Sequence, residues 1–258
     1  MYKFIAGGLA LAAQLVASMA QAQPTKPTVV LVHGAFADSS SWNGVITILQ
    51  KDGYKVVAAP NPLRGVRADA DVVADVVKSI DGPVVLVGHS YGGSVVSEAA
   101  EGRANVKALV YVAAFAPEAG ETAIGLTGKF PGSTLGGALA PPVKLTSGGN
   151  DLYIQQPRFH QQFAADVPAP QARLMAAGQR PIAEAALSEA STAPAWKSVP
   201  SWFIYGDKDK NIPPAAMGFM AERAKSRQTV VVKGASHVVM VSHAPAVASL
   251  IERAATAQ

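Results

Sequence analysis

A serine in a tight-turn motif is the first sign of chemistry in this chain. Ser90 is the centre of Gly-His-Ser-Tyr-Gly at positions 88–92, which fits the pattern G-x-S-x-G. An apolar run precedes the motif and a helical pattern follows it, which is the context that a nucleophile at a strand-to-helix turn requires. Because the helix N-terminus favours negative charge, this setting predicts Ser90 as a nucleophile; the alternative is an ordinary Gly/Ser turn.

The general base is predicted to be His237. It ends the segment Lys-Gly-Ala-Ser-His at 233–237, a glycine-containing loop after the last predicted strand. His243 at the start of the closing helix and His160 within a central insertion are the alternatives. His33 precedes a turn near the first strand and is interpreted as a structural histidine.

The acid is predicted to be Asp209. The segment 206–213 offers two aspartates after the fifth predicted strand, and in the pattern G-x-x-D-x-x-x-P the second of them is the catalytic acid. Asp207 is the alternative and would otherwise form the turn. Glu118, after the fourth strand, is a more remote alternative.

These three residue types perform one reaction together. A serine hydroxyl is a poor nucleophile near neutral pH, so an imidazole must take its proton while a carboxylate holds the imidazole tautomer. Two backbone N–H groups are also needed to bind the oxyanion. We predict that Ala35, in the loop after the first strand, and Tyr91 provide them; a tight turn without a catalytic role is the alternative for the Ala35 loop.

Short apolar strands alternating with helical patterns must position these residues. The predicted strands are 28–32, 55–58, 84–87, 106–112, 201–205 and 229–232. Since they are apolar throughout, they predict a doubly wound, mostly parallel α/β sheet buried on both faces. The alternation of strands and helices stops over 118–195. This segment is predicted to be an inserted, mostly helical cap with helices near 159–165, 171–177 and 182–188.

The first 22 residues have a different character from the rest of the chain. Lys3 is followed by an apolar stretch over 4–17, and Ala-Gln-Ala at 20–22 has the small-x-small pattern of a signal peptidase site. This predicts a secretory signal peptide cleaved after Ala22, a hydrolase domain over 23–258 and a secreted or periplasmic location. An uncleaved anchor is the alternative, but the apolar run is shorter than the ~20 residues of a spanning helix.

Composition narrows the function classes further. The chain has 258 residues with a net charge of +4 and no run of basic residues, which argues against nucleic-acid binding. It has no cysteine, which excludes disulfides, thiolate metal sites and a lipoprotein anchor. No cofactor or metal is expected.

The motifs together resemble those of the α/β-hydrolase superfamily over about residues 28–255. The matching segments are 30–36, 88–93, 206–209 with 212–214, and 234–237. Within the superfamily the chain resembles the small esterase and hydroxynitrile-lyase branch and bacterial pyrethroid-type carboxylesterases. The lyases of that branch have a lysine after the base histidine and a threonine in the oxyanion loop. Here those positions are Val238 and Ala35, so the resemblance implies hydrolysis.

The expected activity is therefore hydrolysis of small, rather apolar carboxylic esters through an acyl-enzyme. Phe36, Phe115 and Val238 adjoin catalytic loops and are predicted to contact the substrate beside Tyr91. A C–C or C–N hydrolase or lactonase with the same triad, and a ligand-binding receptor without activity, are the alternatives. The sequence leaves the natural substrate and the oligomeric state open.

Overall fold

The main structural feature is a six-stranded sheet with the strand order β2-β1-β3-β4-β8-β9, in which every neighbouring pair is parallel. The computed structural model describes residues 26–257, so the predicted signal peptide lies outside the described residues. The strands are β1 (Thr28–Val32), β2 (Val56–Ala59), β3 (Val84–His89), β4 (Val106–Val112), β5 (Val143–Lys144), β6 (Asn150–Leu152), β7 (Ile182–Ala183), β8 (Ser201–Gly206) and β9 (Gln228–Val232). The predicted α/β fold class is confirmed.

Helices connect these strands and cover the sheet. They are α1 (Asn43–Lys51), α2 (Val66–Lys78), α3 (Gly92–Ala99), α4 (Ala123–Gly128), α5 (Leu135–Ala138), α6 (Gln156–Phe163), α7 (Ala169–Gly178), α8 (Glu184–Ser188), α9 (Pro214–Arg223), α10 (Val239–Ser242) and α11 (Ala244–Thr256). Helix α1 packs against α11, and α2 packs against α3. The strand order reverses at β1, so right-handed crossovers place these two pairs on opposite faces of the sheet.

The central strands form the core, as their β-branched, apolar composition predicts. All residues of β1 and β3 are buried, whereas the edge strands β2 and β9 are only partly covered. Val231 in β9 has 53% of its surface exposed. The predicted burial by helices is thus most complete at the centre of the sheet and weakest at its two edge strands.

The segment between β4 and β8 forms a cap over the carboxyl edge of the sheet. Helices α4 to α8 make up most of it, and they include the three predicted helical segments with shifted ends. Its two ends meet where Trp196 Nε1 donates to the carbonyl oxygen of Pro117 at 2.9 Å. The cap also contains a three-stranded antiparallel sheet, β5-β6-β7, that the sequence did not predict. Strands of two or three residues are too short to show an alternating pattern.

The loops that carry the predicted catalytic residues all follow main-sheet strands. Ala35 follows β1, Ser90 follows β3, Asp209 follows β8 and His237 follows β9. The carboxyl ends of parallel strands meet at one edge, where open α/β sheets bind ligands. Within residues 26–257, no helix is long and apolar enough to cross a membrane.

Candidate active site

The turn around Ser90 holds its backbone in an unusual conformation. Ser90 has φ +54°, in the left-handed region that residues with a Cβ rarely adopt. A Cβ on Gly88 would lie 2.5 Å from the carbonyl oxygen of Gly92, so only glycine allows the two arms of the turn to approach this closely. The turn therefore presents the serine side chain at the end of β3, as the sequence motif predicted.

His237 and Asp209 form a buried pair. His237 Nδ1 donates to Asp209 Oδ2 at 2.6 Å, and both residues are almost fully buried. The other carboxylate oxygen, Oδ1, accepts from the backbone N–H groups of Asn211 at 2.7 Å and Ile212 at 3.0 Å. With its proton on Nδ1, the neutral imidazole has a free lone pair on Nε2, which is the arrangement that a general base needs.

Ser90 and His237 line the same cavity. Among residues 26–257, no hydrogen bond joins the serine hydroxyl to the imidazole. Bonds of this kind are often long before substrate binds and shorten in the reactive complex. Both residues thus line one cavity, and no described residue donates a hydrogen bond to Nε2 of the imidazole.

Two backbone donors near Ser90 are also unoccupied. In the described part of the chain, the N–H groups of Ala35 and Tyr91 make no hydrogen bond, although both residues are buried and line the cavity. The next backbone N–H after Ala35, in contrast, has a partner: Phe36 N donates to Arg180 O at 2.9 Å. Buried backbone N–H groups are almost always paired, so two free ones beside a serine suit an oxyanion ligand.

The alternative residues lie elsewhere or make other contacts. Asp207 Oδ1 accepts from the backbone N–H of Gly234 at 2.6 Å, which ties together the loops after β8 and β9. His160 Nε2 bonds the carbonyl of Val167 within the cap, and His243 Nδ1 contacts Ser242 Oγ at 2.9 Å. Glu118 pairs with Lys197, and this contact lowers the pKa of its carboxyl. None of these four residues lines the cavity.

Two further histidines are structural. His89, inside the serine motif, donates from Nε2 to the backbone carbonyl of His237 at 3.2 Å. Complete burial lowers its pKa well below the usual value, so the ring is neutral and joins the serine turn to the loop of the base. Burial also lowers the pKa of His33, whose Nδ1 donates to the carbonyl of Gly34 at 2.9 Å.

The cavity beside Ser90 has a volume of about 790 Å³ and a largely apolar lining. Phe36, Tyr91 and Phe115 line it from the catalytic loops, as predicted from their positions. The cap contributes further apolar residues: Ala123, Ile124, Leu135, Leu139, Ala140, Pro141, Pro142, Leu152, Phe163 and Leu187. The polar lining residues, apart from Ser90 and His237, are Thr127, Ser133, Gln155, Glu184 and Asn211.

Val238 does not line this cavity, so its prediction as a substrate-contacting residue is corrected. The chain turns into α10 directly after His237, and the Val238 side chain is fully buried. Although Val238 follows His237 directly, its side chain does not reach the cavity that His237 lines.

The cap contacts His237 and the loop that holds Asp209 in ways that the sequence did not predict. The Phe163 ring lies 5.1 Å from the His237 ring, centroid to centroid. Gln162 Nε2 donates to the carbonyl of Lys210 at 2.9 Å, which ties α6 to the loop that holds Asp209. A helical pattern in the sequence shows that this segment is a helix, but contains no signal for which loop it contacts.

Among residues 26–257, no group of three or more histidine, cysteine, aspartate or glutamate side chains is arranged to hold a metal ion. Among the polar groups that line the cavity are a serine hydroxyl, an imidazole and two unoccupied backbone donors. Their arrangement can perform nucleophilic attack on a carbonyl carbon, with proton transfer and oxyanion binding supplied by the protein.

Comparison with known proteins agrees with this geometry. A family model described as "Alpha/beta hydrolase family" matches residues 29–250. A carbendazim hydrolyzing esterase from Nocardioides sp. (strain SG-4G) is 34% identical over an alignment of 113 residues that covers 39% of this chain and 47% of that protein. The matched segment thus spans about half the length of that relative.

Solved structures share the fold. Polyneuridine aldehyde esterase superimposes with a TM-score of 0.76 at 21% identity, covering 88% of this chain and 98% of that one. A pyrethroid hydrolase from Sphingobium faniae JZ-2 gives a TM-score of 0.70 at 22% identity, covering 90% and 98%.

Proposed function

The chain belongs to the alpha/beta hydrolase family, and on that basis we propose that it hydrolyses carboxylic esters through an acyl-enzyme on Ser90. The observation that carries the proposal is the His237–Asp209 pair, which leaves the imidazole Nε2 free beside a cavity lined by Ser90. The unoccupied N–H groups of Ala35 and Tyr91 support it, since ester hydrolysis develops negative charge on the carbonyl oxygen.

The proposed reaction has two halves. In the first, Ser90 Oγ bonds to the ester carbonyl carbon while its proton moves to His237 Nε2. The carbonyl oxygen becomes an oxyanion that accepts from Ala35 N–H and Tyr91 N–H. The C–O bond to the alcohol then breaks, and the alcohol takes the proton from His237. In the second half, water repeats the attack, the acid product leaves and the Ser90 hydroxyl is restored.

The lining of the cavity favours neutral, apolar esters. Apart from Tyr91, whose hydroxyl donates to Asp69, the ionisable lining residues within 26–257 are His237, which is the base, and Glu184, which is exposed and accepts from Asn150 Nδ2 at 2.8 Å. Among residues 26–257, no lysine or arginine that could pair with a substrate carboxylate lines the cavity. Moving such a charge into an apolar cavity without a partner is costly. The relatives named for carbendazim and pyrethroid hydrolysis support a preference for bulky organic esters.

A matched pair of esters tests this proposal. We expect kcat/KM for p-nitrophenyl hexanoate to exceed that for the p-nitrophenyl monoester of adipic acid, which carries a free carboxylate, by at least about tenfold. The two acyl chains have similar lengths, so charge is the main difference. Initial rates would be measured at 400 nm. Glu184→Gln should bring the kcat/KM values of the two esters closer together, because it removes the negative charge at the cavity. A preference for the charged ester would contradict the proposed substrate class.

Export is proposed from the N-terminal sequence. The positive residue, apolar stretch and Ala-Gln-Ala pattern within residues 1–22 support a cleavable signal peptide and a secreted or periplasmic enzyme. We expect protein recovered outside the cytoplasm to begin at Gln23, as measured by intact mass. Arginine in place of Ala22 should block cleavage and serves as the control. A full-length mass in the exported fraction would contradict cleavage.

A further inference from the structure

The hydroxyl of Tyr91 takes no part in the reaction described above, yet it is held by a specific bond. Tyr91 follows Ser90 directly, is 1% exposed, and donates from its hydroxyl to Asp69 Oδ2 at 2.8 Å. The backbone N–H of the same residue is one of the two unoccupied donors at the cavity. Tyr91 thus lines the cavity, while its hydroxyl bonds a carboxylate that does not line it.

The acceptor of this bond is itself immobilised. Asp69 lies in the first turn of α2 and is fully buried. Besides the Tyr91 hydroxyl, its carboxylate accepts from the backbone N–H of Arg64 at 3.1 Å and of Gly65 at 3.4 Å. A carboxylate in the first turn is also favoured by the helix dipole. Because all these donors converge on one carboxylate, its orientation is determined from several directions.

The loop that supplies those donors is attached to the cap. Arg64 Nη1 donates to Asp151 Oδ1 in β6 at 2.6 Å, and Arg64 Nη2 donates to Pro181 O at 3.2 Å. At the start of α2, Val66 N donates to Glu189 Oε2 at 2.6 Å. The carboxylate of Asp69 is therefore held by groups that are in turn held by the cap, and it provides the Tyr91 side chain with a fixed anchor.

We propose that Asp69 and the Tyr91 hydroxyl form a positioning pair that orients the Tyr91 peptide N–H toward the oxyanion. The turn at Ser90 has a strained backbone, so the adjacent peptide plane needs an external restraint to keep one orientation. A displacement of about 1 Å in a catalytic group can reduce the rate about 100-fold. This inference rests on the proposed function, because it assigns a role within the same reaction.

Tyr91→Phe tests the pair by removing a single hydroxyl. We expect kcat for p-nitrophenyl valerate to fall about tenfold, which is less than the 100-fold or greater loss typical of deleting an oxyanion donor, because the N–H itself remains. KM should change less than about twofold, since the donor acts mainly on the charge that develops in the transition state. A boronic acid that bonds to Ser90 Oγ places an oxygen at the same donors, and its inhibition constant should rise by about the same factor as kcat falls.

Tyr111→Phe is the matched control. Tyr111 is fully buried in β4, and its hydroxyl makes a 2.7 Å hydrogen bond with Ser97 Oγ outside the cavity. Both substitutions remove one buried tyrosine hydroxyl bond, so both should lower the free energy of unfolding. We expect only Tyr91→Phe to change kcat and the boronate constant. Asp69→Asn should lower kcat at least as much as Tyr91→Phe. If Asp69→Asn does not fold, the comparison of Tyr91→Phe with Tyr111→Phe still tests the positioning pair.

The following outcomes would contradict the positioning pair or the proposed function. If Tyr91→Phe retains the kcat and boronate constant of the wild type, or if Tyr111→Phe loses as much of both, the positioning pair is overturned. A loss confined to KM also overturns it, because that would indicate ground-state binding. If the wild type shows no Ser90-dependent hydrolysis at all, the proposed function fails, and this inference fails with it.

Discussion

Ser90→Ala is expected to fold normally and to hydrolyse p-nitrophenyl valerate with a kcat about 10⁴ to 10⁶-fold below that of the wild type. Alanine keeps the Cβ of serine, so it meets the same backbone conformation at φ +54° and removes only the attacking oxygen. Without that oxygen no acyl-enzyme can form, and His237 has no hydroxyl proton to accept. The residual rate would come from water attacking an ester held beside the two N–H donors.

Steady-state rates with purified protein measure this loss, and a thermal unfolding curve checks the fold. Ser97→Ala is the control: Ser97 is a buried serine in α3, the helix after Ser90, and bonds to Gly93 O and Tyr111 rather than lining the cavity. It should retain kcat within about threefold, as expected for a substitution away from the reacting atoms. A serine-directed phosphonate should label the wild type at Ser90, as seen by peptide mass. Hydrolysis by Ser90→Ala at the wild-type rate would refute the nucleophile.

Asp209→Asn should be the second most damaging change, lowering kcat about 10³ to 10⁴-fold. The reason is visible in the contacts of the carboxylate. Two backbone N–H groups, from Asn211 and Ile212, donate to Oδ1. An asparagine must therefore place its amide oxygen there, which turns its NH₂ group toward His237 Nδ1. The imidazole would then accept on Nδ1 and carry its proton on Nε2, so it could no longer take the proton of Ser90.

Asp207→Asn is the matched control for this change. It makes the same chemical substitution two residues away, at a carboxylate that accepts from Gly234 N and does not contact the imidazole. An amide oxygen can replace that acceptor, so kcat should stay within about threefold of the wild type. Rates and unfolding curves of both variants would be compared. If Asp207→Asn were the more damaging of the two, the acid of the triad would be Asp207.

Much of this site could be predicted from the sequence because its residues lie in loops that directly follow strands. G-x-S-x-G between an apolar run and a helical pattern indicates both a nucleophile and the turn that exposes it. The chain order of serine, aspartate and histidine then points to Asp209 and His237, and the structure brings these two within hydrogen-bonding distance. Apolar strands also predicted the parallel sheet, which is confirmed. Local patterns suffice in these cases because strand ends in a parallel sheet must meet at one edge.

Other features depended on contacts between segments far apart in the chain. The sequence assigned Val238 to the substrate site by adjacency to His237, but the turn into α10 buries it outside the cavity. The hydrogen bond from Tyr91 to Asp69 joins residues 22 positions apart, and the sequence around neither residue contains a pattern that predicts the bond. The cap strands were missed because two or three residues show no periodicity.

The sequence by itself thus determined the fold class and the family and singled out the candidate residues for the chemistry, since these depend on residue type, local periodicity and order along the chain. Only the tertiary structure decided the shape and lining of the cavity, the bond from Tyr91 to Asp69 and the contacts of the cap with His237 and with the loop that holds Asp209. Those features arise from packing between elements that are distant in sequence. The contacts of a side chain in a folded protein depend on the space and the partners around it. A local pattern of apolar and polar residues does not specify those partners.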